Sequence, residues 1–133
     1  MSLPDTFQKW IPAEGIGVGY DVDDIRWSRD GLVFDLIPDG KEKASCGLQI
    51  IWDSGDVLSV HITDETYRAD CWGLDFEKDG RFYLSRDSEY LHRFRQKSPL
   101  FPENALHFLI VGTNIIADVL AKGYPEAHPL ERS

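Results

Sequence analysis

The chain has 133 residues, 42% of them apolar, which is the size of one domain with enough apolar side chain for one core. Its 14 basic and 23 acidic residues leave a formal charge of −9. That charge argues against nucleic acid and anionic membranes as partners, because attraction to phosphate supplies most non-specific affinity, and it favours a basic or neutral protein partner.

The opening Met1-Ser2-Leu3-Pro4-Asp5 has neither the positive flank nor the apolar stretch of an export signal. Nowhere does the chain approach the ~18 to 20 apolar residues that span a bilayer. The expected location is therefore cytoplasmic. Gly15-Ile16-Gly17-Val18-Gly19 lacks the strand-turn-helix setting of a nucleotide loop and reads as a flexible strand or loop.

Downstream, apolar side chains recur with period two between short Asp/Gly turns, the pattern of antiparallel strands with one wet face. Ile25 and Trp27, then Leu32, Phe34 and Leu36, predict a hairpin across residues 28–31, with Trp27 packed inside. Leu48, Ile50 and Trp52, then Leu58, Val60 and Ile62, predict a second hairpin across 53–56, with Trp52 inside and Ser59, His61 and Thr63 on the polar face. Residues 66–76 predict a further strand, turned at 77–80 into a strand over 81–84, since Asp-Gly adopts the positive φ of a tight turn.

From Asp87 the pattern changes. Asp87 or Ser88 offers an N-cap, Glu89 an acidic first turn, Arg93, Arg95 and Lys97 a basic last turn and Pro99 a stop. This predicts one helix near 87–97 with Tyr90, Leu91 and Phe94 as its apolar stripe. The run 106–111 reads as a strand, and Gly112-Thr113-Asn114 turns it into 115–121, where β-branched residues favour a strand over a helix. Residues from Gly123 onward read as a tail. The expected fold is α+β and mostly β: a single antiparallel sheet, sandwich or half-barrel of five to eight strands with one helix. It forms one domain over 1–133, with 1–14 and 123–133 peripheral.

No catalytic signature accompanies this pattern. Cys46 and Cys71 are 25 residues apart and form no CxxC pair, so both read as buried thiols. His61, His92, His107 and His128 have no metal-ligand spacing, and no metal or cofactor is expected. His107 is expected on a half-buried strand. Gly-x-Ser-x-Gly is absent. Carboxylate pairs such as Asp64-Glu65 are the minimum for acid/base hydrolysis, but a chain with 23 acids contains many by chance.

The acids are concentrated. Residues 1–66 hold five basic and 13 acidic side chains, against nine and ten in 67–133. Glu14, Asp21, Asp23 and Asp24 form one group, and Asp53, Asp56, Asp64 and Glu65 another. On an extended segment 66–72, Arg68, Asp70 and Trp72 share one face and Tyr67 lies on the other. Tyr, Trp and Arg dominate interface hot spots. Asp64, Glu65, Tyr67, Arg68, Asp70 and Trp72 are therefore the candidate partner-binding residues, and no catalytic residues are assigned.

The layout itself carries a resemblance. Strands run from Trp27 to Leu36, Leu48 to Trp52 and Val57 to Thr63 into Asp64-Glu65-Thr66-Tyr67; then come a short helix with Tyr90-Leu91 and Phe94, and a last segment from His107-Phe108 to Asp118-Val119-Leu120-Ala121. Over most of residues 20–125 this resembles the small bacterial domains that serve as immunity proteins beside polymorphic toxins. The resemblance implies neutralisation of a cognate toxin by tight binding, with no catalytic residues. The expected function is thus an acidic cytosolic binding protein, an immunity-type inhibitor of a basic toxin or enzyme. The alternatives are a small hydrolase with an acidic cleft and an accessory subunit of a larger assembly.

Overall fold

The computed structural model describes residues 6–12, 19–38, 47–71 and 81–130. They are mostly β with one α-helix, and they form two antiparallel sheets that do not close. The strands are β1 Phe7–Lys9, β2 Tyr20–Ser28, β3 Gly31–Pro38, β4 Gly47–Trp52, β5 Val57–Asp64, β6 Phe82–Ser85, β7 Leu106–Val111, β8 Ile115–Ala121 and β9 Glu126–Leu130; the helix, α1, is Glu89–Lys97. One sheet has the order β1-β6-β7-β8-β5 and the other β2-β3-β4-β9. Nine strands among the described residues exceed the expected five to eight, because β1 and β9 come from stretches too short or too proline-rich to signal a strand. Among the described residues no helix is long and apolar enough to cross a membrane.

One core cluster draws on both sheets. Tyr20, Val22, Leu32, Phe34, Leu36, Leu48, Ile50 and Trp52 from the four-stranded sheet meet Phe82, Leu106, Phe108, Ile110, Ala117, Val119 and Ala121 from the other. Phe108 sits at the centre, edge-on to Trp10 and Trp52 with ring centroids 5.1 and 5.3 Å away. The β7–β8 turn ties the sheets together. Val22 N–H donates to Asn114 Oδ1 (3.0 Å), and Asn114 Nδ2 returns a bond to the Val22 carbonyl (3.1 Å).

β7 and β8 are buried on both faces, which explains their nearly continuous apolar runs. Leu106, Phe108 and Ile110 face the shared core. On the other side Leu109, Val111 and Ile116 pack with Cys71 and Tyr83, and Leu120 packs with Leu91 of α1. Ser88 is the helix N-cap, its Oγ accepting the Leu91 N–H at 3.2 Å, and Tyr90, Leu91 and Phe94 turn toward the sheet as their spacing predicts.

Several sequence expectations change. The first hairpin forms with β2 and β3 in the expected register, but Trp27 is 54% exposed. It pairs with buried Leu32, yet it lies at the end of β2, an edge strand with a neighbour on one side only. Residues 48–52 and 57–62 are strands, as alternation predicts, but not a hairpin. β4 pairs with β3 and β9, β5 pairs with β8, and the 3₁₀ turn Ser54–Asp56 carries the chain from one sheet to the other. Residues 66–71 are not extended: Glu65–Tyr67 and Ala69–Cys71 are 3₁₀ turns. The supposed tail supplies β9, which pairs with β4 from Gly47↔Leu130 to Ile51↔Glu126. Glu14, residues 15–18, Cys46, the 72–76 part of the predicted strand and the turn at 77–80 lie outside the described residues.

Candidate functional site

Two polar residues interrupt the doubly buried strands. His107 stands in Leu-His-Phe-Leu-Ile-Val and Asp118 in Ile-Ile-Ala-Asp-Val-Leu-Ala, and alternation sends both to the face that carries α1. In the register, Asp118 lies opposite His61 of β5, and His107 lies opposite Ser85 of β6. Both side chains are only 5% exposed. A buried carboxylate must be compensated, and the chain does so with His107 of β7 and Arg68 from the turns between β5 and β6.

His107 Nε2 lies 2.7 Å from Asp118 Oδ1, and its Nδ1 lies 2.7 Å from Ser88 Oγ. Arg68 donates to Asp118 Oδ2 through Nη1, while its Nε and Nη2 grip the two oxygens of Asp70 at 3.0 Å each. His61 Nδ1 stands 3.7 Å from Asp118 Oδ2, beyond hydrogen-bond distance. Burial alone raises the Asp118 pKa. The bond and charge of His107, joined by those of Arg68, reverse the shift and hold the carboxyl below its ordinary value. Arg68 is likewise opposed by burial and held charged by Asp70 and Asp118. Beside them, burial and then the Asp70 charge push the Cys71 thiol up to about 12.

A groove of about 350 Å³ opens over this network, between Phe7 and the Tyr90 ring and bordered by His61, Arg68, Asp70, Glu89 and Arg93. Tyr90 is fixed by a 2.7 Å bond between its hydroxyl and Ser59 Oγ. Ser88, His107 and Asp118 form a hydrogen-bonded chain, with Ser88 Oγ at Nδ1 and Asp118 Oδ1 at Nε2 of the same imidazole. As a nucleophile Ser88 is compromised, because its Oγ is buried and already accepts the Leu91 N–H as a helix cap. Among the described residues, no group of three or more His, Cys, Asp or Glu side chains is placed to hold a metal ion.

The six residues picked from the sequence divide in two. Arg68 and Asp70 turn inward as floor and border of the groove rather than forming a free patch. Asp64, Glu65 and Tyr67 remain at the surface, where Tyr67 is 79% exposed. Their turn is held from below. Asp64 Oδ1 accepts the Thr66 N–H (2.9 Å), which lowers the Asp64 pKa; Glu65 N–H donates to the Asn114 carbonyl (3.2 Å) and Arg68 N–H to the Glu65 carbonyl (3.1 Å). Trp72, chosen with them, lies outside the described residues. Sequence reasoning missed Ser88, His107 and Asp118 as a group, and it expected His107 to be only half buried. The usable signal was a single polar residue in each of two apolar runs. In comparisons with protein-family models, curated proteins and solved structures, no match to this chain is found.

Proposed function

We propose that the chain is a binding protein, an immunity-type inhibitor of a basic toxin or enzyme, which engages its partner through Asp64, Glu65 and Tyr67. The observation that carries this reading is Tyr67, a large aromatic side chain 79% exposed on a turn whose backbone is pinned on both sides. Exposure of that ring contributes nothing to the free chain's stability. A rigidly presented tyrosine loses little entropy on binding, and flanking carboxylates steer a cationic partner toward it. The scaffold beneath is read as a sandwich, because one core cluster joins the facing sides of the two sheets.

Paired capture from source-cell lysate tests this reading, with immobilised wild type beside an Asp64→Asn/Tyr67→Ala double variant. Asn preserves the side-chain oxygen that accepts the Thr66 N–H, so the turn survives. A basic protein retained by the wild type, released by salt and lost from the variant is the expected result. Equal retention on both surfaces overturns the assignment.

A second reading, a small hydrolase, draws on the hydrogen-bonded Ser88, His107 and Asp118 beneath the groove. A fluorophosphonate probe separates the two. Covalent labelling at Ser88 favours hydrolysis, and an unmodified Ser88 at saturating probe removes it.

A further inference from the structure

The edge strands of the two sheets are β1 and β5 in one, β2 and β9 in the other. An open edge offers unpaired N–H and C=O groups to any extended chain, and proteins blunt such edges with short strands, bulges, charges or proline. β1 has three residues, β2 is bulged between Val22 and Asp24 and carries exposed Asp23, Asp24 and Arg26, and β9 contains Pro129, which has no N–H. β5 differs. Past an irregularity between Val57 and Ser59, it pairs without a break from Ser59↔Leu120 to Asp64↔Ile115, and residues 59–64 include no proline, glycine, lysine or arginine. Among the described residues no strand lies on its other side. The chain leaving β5 turns away from that side, since Arg68 reaches Asp118 of β8 and Cys71 packs with Leu109, Ile116 and Tyr83.

The two faces of β5 are unequal. Ser59 and His61 meet Tyr90 of α1, Ser59 through a 2.7 Å hydroxyl bond and His61 through its ring. The opposite row, Val60, Ile62 and Asp64, starts at the shared core and runs out to solvent, with Ile62 40% exposed. Acids stand at both ends, Asp53 and Asp56 before the strand and Asp64 and Glu65 at its close, and no lysine or arginine occurs between Lys43 and Arg68. A second copy would set these acids against their own kind, at −9 per chain, so the complementary occupant is basic.

We propose that β5 accepts an extended segment of the basic partner as a sixth strand, one that sets apolar side chains beside Val60 and Ile62 and a lysine or arginine beside Asp64. The inference rests on the partner reading above. Backbone bonds along residues 59–64 supply affinity whatever the sequence of the added strand, and the Val60–Ile62–Asp64 row supplies selectivity. The strand runs directly into the Asp64–Tyr67 turn, so one partner can engage both.

The test uses the ¹⁵N-labelled full chain and the acetylated, amidated peptide Lys-Thr-Val-Thr-Val-Thr-Lys, whose lysines and valines share one face in either strand direction, beside the counterpart with glutamate for lysine. Expected are saturable amide shifts along β5 with a midpoint on the order of 1 mM, and no response to the glutamate peptide. Hydrogen exchange identifies the added strand: at ten times the midpoint, every second amide of residues 59–64 exchanges about tenfold more slowly. Ile62→Lys puts a charge on the open row and raises the midpoint about tenfold or more. Leu100→Lys makes the same charge change away from β5 and leaves the midpoint as it was. Equal responses to the two peptides, shifts without the alternating protection, or an Ile62→Lys chain that binds as wild type does overturn the strand site. If a lysate partner depends on Tyr67 but the lysine peptide leaves β5 unprotected, the strand site fails and the partner reading stands. Alternating protection with no Tyr67-dependent partner supports the strand site and overturns the partner reading.

Discussion

Asp118 shares its two oxygens between His107 and Arg68 in a place where neither water nor a flexible neighbour can replace them. Replacing it by alanine leaves Arg68 with Asp70 alone and the His107 Nε2 without its partner, which costs about 1–3 kcal/mol of stability, read as a lower urea midpoint at pH 7. The pH dependence follows from the lowered pKa. The folded value lies below the ordinary 3.8, so the carboxylate's contribution is fully present above 3.8 and is lost as pH falls through the folded value. The difference between wild type and Asp118→Ala therefore shrinks as the pH falls below about 3.8; a constant difference down to pH 2 would contradict this. Cys71, buried and raised to about 12, should resist iodoacetamide in the native chain at pH 8 and react once urea unfolds it, as peptide mapping reads directly. At this scale the sequence was partly legible. Tyr67 could be chosen as an interface-prone residue type, but an aspartate in an apolar run shows that a charge is buried without showing who pairs with it. Those partners are up to 50 residues away.

Among the elements, α1 was readable in detail because capping is local chemistry: Ser88, the acidic first turn and the basic last turn lie within ten residues. Ser88→Ala removes the cap and a partner of buried His107, at a cost of about 1–2 kcal/mol. Ser88→Gly costs less than that, since glycine tolerates the cap position. Equal losses would place the effect in the His107 contact rather than the cap. Period-two alternation revealed β2 to β5, and the β2–β3 and β7–β8 hairpins form as expected, whereas β1, β9 and the sheet that β5 joins were not legible. Residues 53–56 carry turn chemistry that suits a hairpin, yet they deliver β5 to the other sheet, and nothing in the local sequence distinguishes the two uses. The 66–71 stretch fails differently: the Asp64 side chain captures the Thr66 N–H and Arg68 is drawn to Asp118, so capping and a distant ion pair override an extended pattern. Gly31 shows a constraint of the fold. Its φ is 129°, and an added Cβ would lie 2.5 Å from the Trp52 carbonyl oxygen, so Gly31→Ala should cost about 1–3 kcal/mol through strain alone.

For the molecule as a whole, the balance is between a dry interior shared by two sheets and a strongly acidic exterior. Phe108 joins the sheets, touching Trp10, Trp52 and Tyr124, and Phe108→Ala should cost about 3–5 kcal/mol, with both sheets melting together in one transition. Two separated transitions would mean that the sheets are independent. On the proposed function the exterior has a different role: the charge of −9 would attract a basic protein over a distance set by salt, and the Asp64–Tyr67 turn would supply the short-range contact. The most direct measurement of that division is cross-linking in the source cell, with a photoreactive phenylalanine at position 67 and, as control, at Leu100, which is 90% exposed elsewhere. The account predicts one dominant basic adduct from position 67, competed away by untagged wild type and absent from position 100. No competed adduct from position 67, or the same adduct from both positions, would contradict it.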